Sequence, residues 1–252
     1  MSNEISIYKK TLEKILGEIE QEYPAIEKAA SVMADAIERD SMIHVIGPGG
    51  HSNLAVEEVL WRAGGLAHIN PILDAGTNLI HGAKRSNFIE RTPGYAASVL
   101  DSYRVGFLPG EVIIIVNAYG LNSMTIDTAL ECKKRGVYTI GVTSTSFCDL
   151  VPPGAKSRHP SNKNLYQEVD LFINNHLPIG DAAVNVDGFS QALGSTSTFC
   201  NCFVMNCLVI ETVKELVKRN ITPPIFMSAN MPDGDANNKA LEEKYYGRIR
   251  HL

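Results

Sequence analysis

No apolar run in the 252 residues approaches the length of a membrane span, and the start, Met-Ser-Asn-Glu, has none of the character of a secretory leader. The expectation is a cytoplasmic protein with no membrane partner. Positive charge is also scarce. Lysine and arginine number 23 against 28 aspartates and glutamates, a formal net charge of −5. A general nucleic-acid binder would show a basic face, so no nucleic-acid partner is expected. Cysteine is sparse and odd in number, five in all, with no paired framework. Three of them, Cys200, Cys202 and Cys207, fall in an apolar, helix-compatible run. Their C-x-C-x4-C spacing has no second cluster and no nearby histidine, so packing residues are expected there and no metal. No internal repeat is present.

What remains is the composition of an ordinary globular protein, 44% hydrophobic and 20% charged, long enough to bury a full core. The first forty residues read as helical. Ile5, Leu12, Ile15, Leu16 and Ile19, then Ile26, Ala29, Ala30, Met33 and Ile37, recur at helical spacing, with a break at Tyr23-Pro24. Strands alternate with helices after that. Met42–Ile46 and Leu66–Leu73 read as strands, with a helix from about Ser52 to Ala63 between them that stops at Gly64-Gly65. Residues 74–91 read as polar and irregular, with a helix around Thr92–Tyr103 after them. Gly110–Asn117 and Val137–Thr143 are buried strands joined by a helix over Met124–Lys134. A loop over Val151–Asn164, a strand at Val169–Asn174, a long helix over Ser190–Arg219 and a polar, partly irregular tail complete the chain. This alternation predicts an α/β fold, a doubly wound five-stranded parallel sheet with helices on both faces. An N-terminal helical segment (1–40), a core domain (41–220) and a C-terminal tail (221–252) divide it.

In such sheets ligands bind at the carboxyl ends of the strands, where the strand order switches. The first such turn is Gly47-Pro-Gly-Gly-His-Ser-Asn53. Its glycines permit a tight turn and close backbone approach, and Ser52 or Asn53 can cap the following helix, whose N–H groups favour an anion. It lacks the lysine of a P-loop and the third glycine of the dinucleotide fingerprint, where Ser52 stands. Gly49, Gly50, His51, Ser52 and Asn53 are therefore candidate ligand contacts. A second polar turn, Asn117-Ala-Tyr-Gly-Leu-Asn-Ser123, offers Asn117, Tyr119, Asn122 and Ser123, and Ser144 stands in the turn after the next strand. Glu57 and Glu58 lie about one and a half turns into the helix leaving the first cradle. A carboxylate raised in pKa by burial could move a proton between neighbouring sugar carbons, yet helix neighbours about 100° apart cannot both face one ligand. Arg62, four residues after Glu58, can pair with it. Glu90 is a third candidate. His159 sits in a polar, basic loop and could open a sugar ring or shuttle protons; Arg158 and Lys163 beside it could hold an anion. His44 alternates into a strand and reads as a core histidine.

Together these segments resemble the sugar isomerase (SIS) domain family, in particular its stand-alone phosphosugar-binding or phosphosugar isomerase branch. The carriers are Gly47-Pro-Gly-Gly-His-Ser-Asn, Glu57-Glu-Val-Leu-Trp-Arg-Ala-Gly-Gly-Leu66, Glu90-Arg-Thr-Pro-Gly-Tyr95 and Asn117–Asp127. His159-Pro-Ser-Asn-Lys163, Gly180-Asp-Ala-Ala-Val184, Gly194-Ser-Thr-Ser-Thr198 and Met227-Ser-Ala-Asn230 complete the set, spread over nearly the whole chain. The resemblance implies a flavodoxin-like strand order, assembly as a homodimer or homotetramer with sites near subunit interfaces, a sugar or sugar-phosphate ligand, and no metal or organic cofactor. It implies isomerisation of an aldose and a ketose through an enediol. The family also includes non-catalytic binding or sensor proteins, and lyases or deaminases of aminosugar phosphates. In the isomerase reading, Ser52 and the amides of residues 49–53, with Asn122 and Ser123, bind the anionic end. Glu57, or else Glu58 or Glu90, transfers the proton, and His159 assists ring opening. One position departs from the family. Its second phosphate loop usually reads Ser-x-Ser-Gly, where this chain has Asn117-Ala-Tyr119-Gly120. An amide can still donate, but a tyrosine cannot mimic a small hydroxyl. The ligand is then held differently, carries another anion such as a sulfonate, or carries none.

Overall fold

The computed structural model describes residues 3–252. Two amphipathic helices open the chain, α1 (Glu4–Glu20) and α2 (Tyr23–Glu38). Asn3 caps α1 by accepting from the Ser6 N–H at 2.9 Å, and Pro24 sits in the first turn of α2, where its missing N–H leaves nothing unpaired. The expected break at Tyr23-Pro24 is thus the boundary between two helices.

Five parallel strands follow, β1 (Ile43–Ile46), β2 (Ile69–Ile72), β3 (Val112–Val116), β4 (Tyr138–Thr143) and β5 (Leu171–Asn174). Their order is β2-β1-β3-β4-β5, the flavodoxin-like order. All five residues of β3 are buried, as its unbroken apolar run predicts for a strand covered on both faces. Alternation along β1 sends Ile43 and Val45 to one side, against α2 and the long α8 (Ser197–Lys218). Ile46 points to the other side, against α5 (Tyr95–Ser102) and α6 (Ser123–Arg135). Each such side chain contributes about 1.5–3 kcal/mol on full burial, so these two layers hold the sheet rigid beneath its loops.

Several expectations need correction. The helix after the first turn, α3, is only Asn53–Glu58. Residues 61–67 leave it to pair with the C-terminal tail: Gly64 N–H donates to the Phe226 carbonyl at 2.8 Å and Phe226 N–H to that of Gly65 at 3.0 Å. Trp61 takes a left-handed φ of 47° to make the departure. Residues 74–91 are not irregular throughout, for α4 (Ala83–Ile89) forms there, tied down by a 2.6 Å hydrogen bond from Ser86 Oγ to the Thr77 carbonyl. After the four-residue α7 (Leu165–Glu168) and β5 comes a hairpin, β6 (Ala182–Val184) with β7 (Leu193–Ser195), whose second strand takes residues expected to begin the long helix. The tail carries α9 (Gly234–Tyr245). Tyr245 is fully buried against Met42, Ala67 and Phe226, and its hydroxyl meets His68 Nδ1 at 2.9 Å. No helix among the described residues is long and apolar enough to cross a membrane.

Candidate functional site

The chain passes from β1 to β2 on one side of the sheet and then returns to place β3 on the other. The connections leaving β1 and β3 diverge at that switch point and leave a cavity of about 420 Å³ between them. Gly49, Gly50, His51 and Ser52 form one wall, and Asn117, Tyr119 and Asn122 another. Gly47 is required by backbone contact, and Gly49 is crowded by a side chain. A methyl on Gly47 would overlap the Ser52 carbonyl, and one on Gly49 would stand 2.9 Å from Glu90 Oε2.

The first turn keeps donors free. Among the described residues, the N–H groups of His51 and Ser52 and the Ser52 hydroxyl make no hydrogen bond, and Ser52 faces the cavity. Asn53 serves the turn rather than a ligand: its Nδ2 donates to the carbonyls of Gly49 at 3.0 Å and Thr77 at 3.2 Å. The asparagine side chains of the second turn are engaged within the protein. Asn117 and Asn122 both donate from Nδ2 to the Pro48 carbonyl, at 3.2 and 2.8 Å, which stitches the two turns together. Asn117 Oδ1 accepts from the N–H of Gly120 at 2.9 Å, and Asn122 Oδ1 caps α6 through the Thr125 N–H at 2.9 Å. Ser123 is buried behind them. Tyr119 lines the cavity with its ring against Phe147 and its hydroxyl donating to the Pro178 carbonyl at 2.6 Å; burial pushes that hydroxyl up to about 12.

Of the four candidate acid–base residues, the structure brings one to the cavity. Glu90 lines it, with its side chain 18% exposed. Burial raises its pKa above the ordinary carboxylate value, opposed by Arg91 and by a hydrogen bond from the Gly50 backbone. The backbone of Glu90 is fixed at both ends, its N–H on the Ser86 carbonyl and its carbonyl on the Met124 N–H, each at 2.9 Å. Glu57 is exposed and accepts from Asn78 Nδ2 at 3.0 Å, outside the cavity. Glu58 points to Arg62 at 3.4 Å and Asn206 at 3.2 Å. His159 is also elsewhere: Asp127 holds Nε2 at 3.0 Å and Ser161 holds Nδ1 at 2.6 Å, so both ring nitrogens tie its loop to α6. Arg158 is buried on backbone carbonyls, and Lys163 pairs with Glu168 at 2.8 Å. Ser144 donates to the Leu177 carbonyl at 2.9 Å beneath the surface. These displacements share a cause, since residues near in sequence to the turns were drawn into ladders and caps that spacing does not reveal.

Other residues complete the cavity. Leu79, Ser86 and Asn87 come from the segment read as irregular, and Ser157, Asp181 and Ser197 from the far rim. Asp181 caps α8, its Oδ1 accepting from the N–H of Ser197 at 2.7 Å and of Thr196 at 2.9 Å, its Oδ2 from Ser197 Oγ at 2.7 Å. Asp181 and Ser197 lie in two of the segments that carry the family resemblance, which was the available signal. His51, Glu90 and Asp181 are the titratable acidic and imidazole groups of the lining, and no lysine or arginine joins them. No group of three metal-ligating side chains occurs among the described residues. The cysteines of α8 are buried or half-buried with raised thiol pKa values, a packing environment.

A doubly wound sheet with a glycine-lined cavity at its switch point is the architecture in which open α/β sheets hold their ligands. The SIS domain family model matches residues 7–144. A UPF0309 protein of Listeria monocytogenes serotype 4b is 35% identical over 249 residues, covering 99% of this chain and 97% of the relative. A UPF0309 protein of Halalkalibacterium halodurans is 36% identical over 246 residues, with 97% and 96% covered. A solved phosphoheptose isomerase from Francisella tularensis is similar with a TM-score of 0.47 and 14% identity, over 85% of this chain and 100% of that one. The chain belongs to the SIS domain family.

Proposed function

We propose that the cavity binds a phosphorylated or otherwise anionic sugar and interconverts its aldose and ketose forms through an enediol. The observation that carries this reading is Glu90, a largely buried carboxylate of raised pKa standing over a turn with unpaired donors. The N–H groups of His51 and Ser52 and the Ser52 hydroxyl seat the anionic end. Glu90 takes the proton from the hydroxyl-bearing carbon beside the carbonyl, while the carbonyl oxygen takes a proton from water to give the enediol. Glu90 then returns its proton to the former carbonyl carbon as the other hydroxyl releases its own to water. A raised carboxyl pKa suits both halves of that transfer. His51, exposed at the mouth, faces the sugar oxygens. Chemistry of this kind needs no group beyond the side chains present.

The test is a panel of sugar phosphates and sulfonated sugars screened by thermal shift, since a ligand of the native state raises the melting temperature by mass action. Each hit is then incubated in deuterated water. Ketose formation with deuterium at its C1, and deuterium at C2 of recovered aldose, is the expected result. Tight binding without exchange makes the protein a sensor, and release of ammonia or lactate makes it a deaminase or lyase; either result removes the isomerase reading.

A further inference from the structure

Charge is distributed unevenly around the candidate cavity, and α4 with the residues after it creates much of the unevenness. Ala83, Ser86, Asn87 and Glu90, at steps of three and four, turn to the cavity as one helical face. The cations of the same stretch sit on its other faces. Lys84 and Arg85 are exposed and do not line the cavity, and Arg85 donates to the Ala75 carbonyl at 3.0 Å. Arg91 approaches Glu90 only to 4.0 Å and also stands outside the lining.

The far rim adds negative charge. Asp181 lines it with both oxygens taken by Thr196 and Ser197, so it brings charge to the cavity without a free acceptor. Arg158 and Lys163 belong to the loop that supplies Ser157 to the rim. They are spent on backbone carbonyls and on Glu168. The lining therefore holds two carboxylates and, among the described residues, no lysine or arginine.

The donors that face this field are neutral. The asparagine amides of the second turn go to the Pro48 carbonyl, and the Tyr119 hydroxyl to that of Pro178. The first turn keeps the N–H groups of His51 and Ser52 and the Ser52 hydroxyl, three donors for the three oxygens of an anionic group. A sulfate ester or sulfonate spreads a single charge over those oxygens. A phosphate monoester carries nearly two above its second pKa of about 6. With no cation to neutralise it, the second charge faces Glu90 and Asp181 uncompensated.

Resting on the reading of this cavity as an anionic-sugar site, we propose that it selects a singly charged group, a sulfate ester or sulfonate, over the phosphate monoester of the same sugar. The 6-phosphate and 6-sulfate esters of glucose, fructose, mannose and galactose are matched pairs of similar shape and different charge. Each pair is titrated calorimetrically into the full chain. At pH 8 the sulfate of a binding pair should be held at least about tenfold more tightly than the phosphate. At pH 5 the phosphate has taken up its second proton, and the two should bind alike. Glu90→Gln should narrow the gap at pH 8, because it removes one of the two carboxylate charges. Equal or tighter binding of the phosphate at pH 8 overturns the selectivity and leaves the anionic-sugar reading standing. A gap unchanged at pH 5 or in Glu90→Gln assigns the preference to something other than charge and overturns it as well. Binding by none of the pairs removes the anionic-sugar reading, and this inference with it.

Discussion

Replacing Glu90 by glutamine should abolish proton exchange while tightening the hold on an anionic sugar. The side chain keeps its shape and still accepts from the Gly50 backbone, but it loses its charge and its capacity to take a proton. An anion seated on the His51 and Ser52 amides shares the cavity with that carboxylate, and about 6 Å is taken as their separation. With an effective dielectric of about 20, a pair of unit charges at this separation repels by about 3 kcal/mol. Water in the open cavity screens part of that, leaving an expected gain of at least about tenfold in affinity. The same charge gives a pH dependence. Burial raises the Glu90 pKa, so wild-type binding should weaken as pH climbs through that raised value and the carboxyl ionises. A sulfonated sugar is the proper ligand, because the second ionisation of a phosphate at about 6 would confuse the profile. Calorimetry over pH should show a slope for wild type and none for Glu90→Gln, with deuterium exchange at C2 lost in the variant. Retained exchange, or weaker binding than wild type, refutes the assignment.

Glu57→Gln and Glu58→Gln should each change turnover by less than about twofold, since neither side chain lines the cavity; a loss of two orders of magnitude in either would mean that a neighbouring surface recruits it. Asp181→Ala strips the acceptor from the first amides of α8 and should lower stability by about 2 kcal/mol, read as a fall in melting temperature of about 4–8 °C. Acid should destabilise the protein through His68, whose pKa burial lowers to about 4 between the Ser41 carbonyl and Tyr245. The unfolded chain binds that proton near pH 6.5, so the stabilisation is full above 6.5 and is lost as pH falls, by about 3 kcal/mol at pH 4. Urea melts at pH 7 and 4.5 should show the loss in wild type and a smaller one in His68→Gln.

The sheet was legible because buried parallel strands write themselves as unbroken apolar runs. Val112–Val116 could be nothing else, and the glycines at 47, 49 and 50 marked where backbone comes close to itself and to a ligand. A cap for α6 was legible only to within a residue, at Asn122 or Ser123; the structure assigns it to Asn122, whose side chain answers an amide three residues away. Orientation was not legible. Glu57 and Glu90 are both glutamates near a turn in the sequence, but only tertiary packing turned Glu90 inward, by locking its carbonyl on Met124 and its helix on Thr77. His159 carried every sign of a loop catalyst until Asp127 and Ser161 took both its nitrogens. The early end of α3 was decided by Phe226, more than 150 positions away. Apolar periodicity and local capping act over a few residues and so are written in the chain. Which donors stay free and which carboxylate faces a cavity depend on contacts between distant segments, and those exist only once the chain has folded.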